Sequence, residues 1–168
     1  MCVIIDMDTL SCVFNTKNER HNEFKPVFDQ IEKGKIKIVY GGSKYKSELE
    51  NAKSYFHYFN IFNILTQYKK ARKVIKLDDN KVDQKQQELE KIIQHPDFND
   101  QHIVAIIIVS GCRLVCSKNS KHYPFIKDKI FYPSKFGKIS IYRGYNDKDM
   151  LLSRNVKRLC KRCREENR

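Results

Sequence analysis

The chain has 168 residues, with 33 Lys and Arg against 20 Asp and Glu, a formal charge of +13. Hydrophobic residues at 40% and aromatics at 11% exclude wholesale disorder, and no apolar run approaches the ~20 residues that span a bilayer. The length fits one domain with a proper core, and MCVIID has neither the basic start nor the cleavage site of a leader, so a cytoplasmic protein that favours polyanions is expected.

In chain order, residues 2–5 (CVII) form a continuous apolar run, the pattern of a strand covered on both faces, and it ends at Asp6. Phe24, Val27, Phe28 and Ile31 recur at helical spacing over 23–33, and Gly34 closes that helix. Ile36, Ile38 and Val39 predict a second strand, stopped by Gly41-Gly42, and Ser43 is placed to cap a helix with Tyr45, Glu48, Leu49 and Ala52. The aromatic stretch 55–68 reads as a core helix through Tyr58, Phe62, Leu65 and Tyr68; base stacking is its functional alternative. Asp78 or Asp79 caps a helix with Val82, Leu89, Ile92 and Ile93, ending before Pro96. A helix over 100–110, closed by Gly111, leads into a strand at 113–116; HYPFIKDK reads as a short helix, 138–142 as a last strand and 147–163 as a terminal helix. Strands alternating with helices predict a three-layer α/β/α sandwich with a mostly parallel central sheet over 1–145, followed by a basic helical extension over 146–168. The six cysteines read as reduced thiols, mostly in the core; the one CxxC, Cys160 and Cys163, lacks a clear second pair for zinc.

Sites in such folds lie at the carboxyl ends of the strands. There the sequence puts Asp6 and Asp8, then Glu48 and Glu50 on the helix after the second strand, Asp97 and Asp100 at the start of a later helix, and Ser117 and Asn119 after the strand it feeds. Carboxylates gathered in a basic protein suit Mg²⁺ or Mn²⁺ beside a polyanion, the arrangement that activates water for phosphodiester cleavage.

These residues resemble the PIN domain, a compact metal-dependent ribonuclease fold. The likeness spans about 2–142 and is most specific in DFNDQHIVAIIIVSGCRLVCSKN, similar to the family's Asp-helix, apolar strand and Ser/Thr-x-Asp. The resemblance implies that Asp6, Glu48 and Asp100 hold Mg²⁺ or Mn²⁺, that Ser117 orders the site, that Asn119 stands where the family has a fourth acid, and that Asp8 adds the missing charge. Glu50 is the spare for Glu48. It further implies in-line cleavage of RNA to a 5′-phosphate and a 3′-hydroxyl, a homodimer, and an antitoxin or other protein partner for toxin-type members. Asn119, uncharged, favours an alternative in which the domain binds RNA with weak or no catalysis. A second alternative follows from IIDMDTL, which resembles the first motif of haloacid-dehalogenase-type phosphatases, with IIIVSG imitating a strand that ends in Ser and Asp147 or Asp149 as late acids.

Each acid also has a simpler structural reading: Asp6 as a turn former, Asp100 as a helix cap, Glu48 as a surface partner of Lys, Asn119 as a turn residue, and His102 as a helix-face histidine. Phosphate contacts are expected from Lys44, from Lys69, Lys70 and Arg72, from Lys118 and Lys121, and from Arg154, Lys157, Arg158, Lys161 and Arg162 in the tail, where residues 151–168 carry seven Lys and Arg against two Glu. The tail's apolar face is weak, so no membrane role is expected.

Overall fold

A computed structural model describes residues 2–55, 61–93, 95 and 98–155. Strand β1 (Cys2–Ile5) lies at the centre of a five-stranded sheet in which every side chain of the strand is fully buried, as its uninterrupted apolar run requires. β2 (Lys37–Tyr40), β3 (Val74–Lys76), β4 (Leu114–Cys116) and β5 (Ser140–Tyr142) complete it in the order β3-β2-β1-β4-β5, all parallel.

The helices are α1 (Met7–Phe14), α2 (His21–Glu32), α3 (Ser43–Tyr55), α4 (Ile61–Lys70), α5 (Asp79–Glu90), α6 (Gln101–Ser110) and the short α7 (Tyr123–Ile126). The chain steps outward from β1 to β2 to β3, then returns across the sheet to β4 and β5. With right-handed crossovers, α1 to α4 fall on one face and α5 and α6 on the other, giving the expected three layers. α6 is buried almost all round, from His102 to Ile107, and packs on β1 and β2; Gly111 ends it in the left-handed region (φ 67°), with its N–H bonded to Ile107 O at 2.8 Å. Gly42 (φ 89°) turns the chain after β2, with its N–H held by Asp79 Oδ1.

Several expected elements differ. α1 follows β1 with only Asp6 between them; its Thr9, Ser11, Cys12 and Val13 are modest helix formers, so burial in the core holds it. β3 was hidden behind the basic run 69–73. In α4 the core face is Ile61 and Leu65, while Phe62 is 40% exposed; Tyr58 lies outside the described residues. Ser43 opens α3, but its N–H and hydroxyl both bind Asp83. Asp78 does cap α5, accepting from the Lys81 N–H, although the helix stops at Glu90 and leaves Ile92 exposed. Tyr145–Leu151 is a 3₁₀ helix packed on α2 with Leu151 in the core, so the domain runs past residue 145 before the expected terminal helix begins; 156–168 lie outside the described residues. Cys12, Cys112 and Cys116 are buried free thiols, but Cys2 is disulfide-bonded, against the expectation of reduced thiols throughout. Among the described residues, no helix is long and apolar enough to cross a membrane.

Candidate functional site

The crossovers diverge between β1 and β4, which opens a crevice at their carboxyl ends. Asp6 leaves β1 there, with its backbone N–H bonded to Cys116 O at 2.9 Å. It occupies the cap position of α1, yet its side chain makes no cap bond, so the turn-former reading does not account for it. Instead Oδ2 accepts from Ser117 Oγ at 2.8 Å, and Ser117 Oγ in turn accepts the Asn119 N–H at 3.1 Å. Ser117 thus ties the ends of β1 and β4 together.

Two tyrosines buttress these strand ends. Tyr45 on α3, fully buried, donates to Ile5 O at 2.6 Å, and Tyr123 on α7 donates to Ser117 O at 2.6 Å. Thr9 accepts the Lys118 N–H at 2.9 Å and so fixes the backbone from which Lys118 extends into solvent.

Asp6 is 6% exposed, and among the described residues no basic side chain pairs with it. Burial, the nearby Asp100 carboxylate and Asp8 raise its carboxyl to about 6, against the lowering effects of the Ser117 bond and His102. Asp100, also buried, precedes α6 without making a cap hydrogen bond; it is paired with His122 Nδ1 from the loop after β4. Asp100 thus holds the N-cap position of α6, but its carboxylate is engaged with His122 rather than with the helix backbone. Glu48 on α3 is half-buried, with Oε2 3.4 Å from His102 Nε2. Burial raises Glu48, but His102 and Lys44 outweigh it and leave the carboxyl below its ordinary value.

Other expected residues fall less centrally. Asp8 sits exposed in the first turn of α1 and acts on Asp6 through its charge, and Glu50 is exposed. Asn119 caps a 3₁₀ turn, its Oδ1 accepting from the Lys121 N–H at 3.3 Å, and its Nδ2 is 3.5 Å from His122 Nδ1. Its side-chain carbonyl serves the turn, the simpler structural reading expected of it. Lys44 Nζ is spent on Asn99 O at 2.5 Å, which anchors the chain just before Asp100. Lys69, Lys70 and Arg72 precede β3, so they lie at the amino end of the sheet, opposite the carboxylates, and do not line this site. Lys118 and Lys121 flank it, and Arg154 is exposed; Lys157, Arg158, Lys161, Arg162 and Asp97 lie outside the described residues. The sequence reading missed His122, Tyr45 and Thr9, and it took His102 for a helix-face residue.

The carboxylates of Asp6, Asp100 and Glu48 are oxygen donors of the kind a hard divalent cation takes. The side chains as placed are more open than a coordination shell, since among the described residues no three of His, Cys, Asp and Glu converge to hold an ion. His122 covers Asp100 and His102 stands beside Glu48 in this arrangement. Comparison with protein-family models, with curated proteins and with solved structures finds no match.

Proposed function

We propose that this protein is a PIN-like ribonuclease that uses Mg²⁺ or Mn²⁺. The observation that supports this most is Asp6: a carboxyl buried at the switch point, raised to about 6 by burial and by Asp100, and left without a cationic partner in a chain of net charge +13. Asp6 and Asp100, with Glu48 as third carboxylate, would hold a divalent cation, which would offset that repulsion. Bound there, it supplies a polarised water and charge stabilisation for the leaving oxygen of a phosphodiester.

The chain's own residues do the rest. Ser117 holds Asp6 Oδ2 in a fixed position, and Tyr45 and Tyr123 fix the two strand ends that carry them. His122 restrains Asp100. Lys118 and Lys121 present positive charge at the rim, where a nucleic-acid backbone gains affinity without sequence choice.

Cleavage of a mixed RNA pool with Mn²⁺, lost with EDTA and in Asp6→Asn, is the expected result. Binding without cleavage would support the second reading, an RNA-binding module with weak or no catalysis, which the engagement of Asn119 in its turn favours. A phosphatase substrate run alongside tests the haloacid-dehalogenase alternative. That reading has lost one support, since Ser110 closes helix α6 and bonds Ile106 O rather than ending a strand. A homodimer, and an antitoxin or other protein partner, belong to the toxin-type version of this proposal. A monomer in sedimentation at micromolar concentration, harmless when expressed alone, would remove them.

A further inference from the structure

A second concavity opens where the chain enters β5, at the edge of the sheet. It encloses about 890 Å³, within the roughly 300–1,000 Å³ of pockets that hold small organic ligands. Its floor is apolar, built from buried Ile139 and half-buried Tyr132 with Pro133 beside them, and its mouth carries Lys127, Lys129 and Lys138, all exposed. Among the described lining residues none is acidic. The two acids that bear on these lysines are engaged elsewhere. Asp128 accepts the Ile130 N–H at 3.0 Å, and Asp147 pairs with Arg143 at 2.9 Å and feels Lys127 through its charge.

Gly137 closes one side of the cleft. Its φ of 88° lies in the left-handed region, and a Cβ there would meet Arg113 Nη1 at 2.0 Å. Glycine thus lets the Arg113 guanidinium come up to the wall, a fourth cation beside the three lysines. The walls are fixed before any ligand arrives. Tyr132 donates to Ile126 O at 2.6 Å and stacks on Phe136 with ring centroids 5.1 Å apart. Lys129 rides on the 3₁₀ turn Lys129–Phe131, which Asp128 caps and Phe131 anchors in the core, and Lys138 leads directly into buried Ile139. A preformed cleft spares a ligand the cost of ordering it.

We propose that this cleft binds a nucleoside polyphosphate, with phosphates on Lys127, Lys129 and Lys138 and the base and ribose over Tyr132, Pro133 and Ile139. Three lysines around one mouth suit a multiply charged anion, because each charge-assisted contact strengthens binding. Inorganic phosphate would leave the volume and the apolar floor unused, and a fatty acid, with one charge, would leave lysines unmatched. Arg113 precedes β4 and Lys138 precedes β5, so the cleft lies at the amino ends of these strands, across the sheet from Asp6. The inference therefore does not depend on the metal reading.

Calorimetry of the untagged full chain with ATP and with GTP, in EDTA so that no divalent ion takes part, tests this. At least one of the two is expected to bind at one site per chain, at least about tenfold tighter than its nucleoside or inorganic triphosphate, a difference set by having both halves of the ligand in place. The double variant Lys129→Ala, Lys138→Ala should weaken binding by at least about tenfold, since a hydrogen bond to a charged group contributes that much or more. Lys118→Ala, at the other end of the sheet, should leave binding unchanged. Photolabelling of the wild type with 8-azido-ATP should attach within residues 127–139. Failure of both nucleotides to bind at millimolar concentration would overturn the inference. So would triphosphate binding as tightly as ATP, which would reduce the cleft to a patch of charge. Loss of binding in Lys118→Ala, or label at the β1–β4 crevice, would overturn it by moving the nucleotide to that crevice. Displacement of ATP by an equal concentration of an oligoribonucleotide without a terminal phosphate would overturn it in favour of an RNA strand. The photolabel is read on the wild type, so it decides the matter even if the lysine variants fail to fold.

Discussion

Asp6→Asn should stabilise the metal-free protein. The Asp6 carboxyl is raised from 3.8 to about 6 in the fold, so the native state favours its protonated form. The contribution to stability is greatest below about pH 4, falls as pH rises through the window from 4 to 6, and stays low above it, because across that window the native state holds a proton the unfolded chain has released. At about 1.4 kcal/mol per pH unit, the cost of the ionised carboxylate at neutral pH is about 3 kcal/mol. Asparagine has the same shape, can still accept from Ser117 Oγ through its amide oxygen, and carries no charge to desolvate or to oppose Asp100.

Urea unfolding in EDTA, for wild type and Asp6→Asn at about pH 4 and about pH 7.5, measures the effect as a difference of differences. The two proteins should be close at the lower pH, and the variant should be more stable by up to about 3 kcal/mol at the higher one. For a domain of this size that corresponds to a midpoint about 6–12 °C higher on heating. Parallel pH profiles for the two proteins, or a variant less stable at pH 7.5, would refute the reasoning. Either result would mean that Asp6 is held by favourable contacts beyond the Ser117 bond and has no electrostatic deficit for a cation to relieve.

Asp100→Asn should abolish RNA cleavage while leaving RNA binding equal or tighter in a filter assay, because it removes charge near phosphate and breaks no helix cap. Lys118→Ala should reduce the slope of log affinity against log salt by about 0.7, one phosphate contact on a single strand; Lys69→Ala, at the far end of the sheet, should leave that slope unchanged. Tyr45→Phe should cost about 1–3 kcal/mol in chemical denaturation, because it removes a buried donor from Ile5 O. Retention of full stability by that variant would show that Tyr45 does not hold the end of β1.

Much of the fold was legible because its central elements are extreme. CVII, four residues stopped by Asp6, suits a strand covered on both faces, and HIVAIIIV, between Asp100 and Gly111, is long enough for a helix buried almost all round. The edges were less legible: β3 is three residues long, and α1 is built from residues with little helical preference that the core nonetheless captures. Within the site, Asp6, Ser117 and Asp100 could be placed because strand ends and helix starts locate them, and the structure brings them to one crevice. His122 could not, since it reaches Asp100 across 22 residues from a loop whose path no periodicity encodes. The pairing of His102 with Glu48 was equally hidden, since it joins two helices far apart in the chain.

The setting of Asp6 gains weight from the composition. With 33 Lys and Arg in 168 residues, a buried carboxylate has abundant opportunity to acquire a basic neighbour, and other acids in this fold do so: Asp79 with Lys76, Asp147 with Arg143, Glu32 with Lys73. Asp6 makes no such ion pair; Asp100 and Asp8 oppose its charge, while the Ser117 bond and the nearby His102 ring act the other way. A stable core does not need this arrangement, and at neutral pH it works against folding. Groups that are locally costly and mutually repulsive persist where something outside the chain completes them. In the proposed reading the completing component would carry positive charge, take oxygen donors, and lie beneath the rim where Lys118 and Lys121 would meet a polyanion. A divalent cation engaged with a phosphodiester would meet all three conditions.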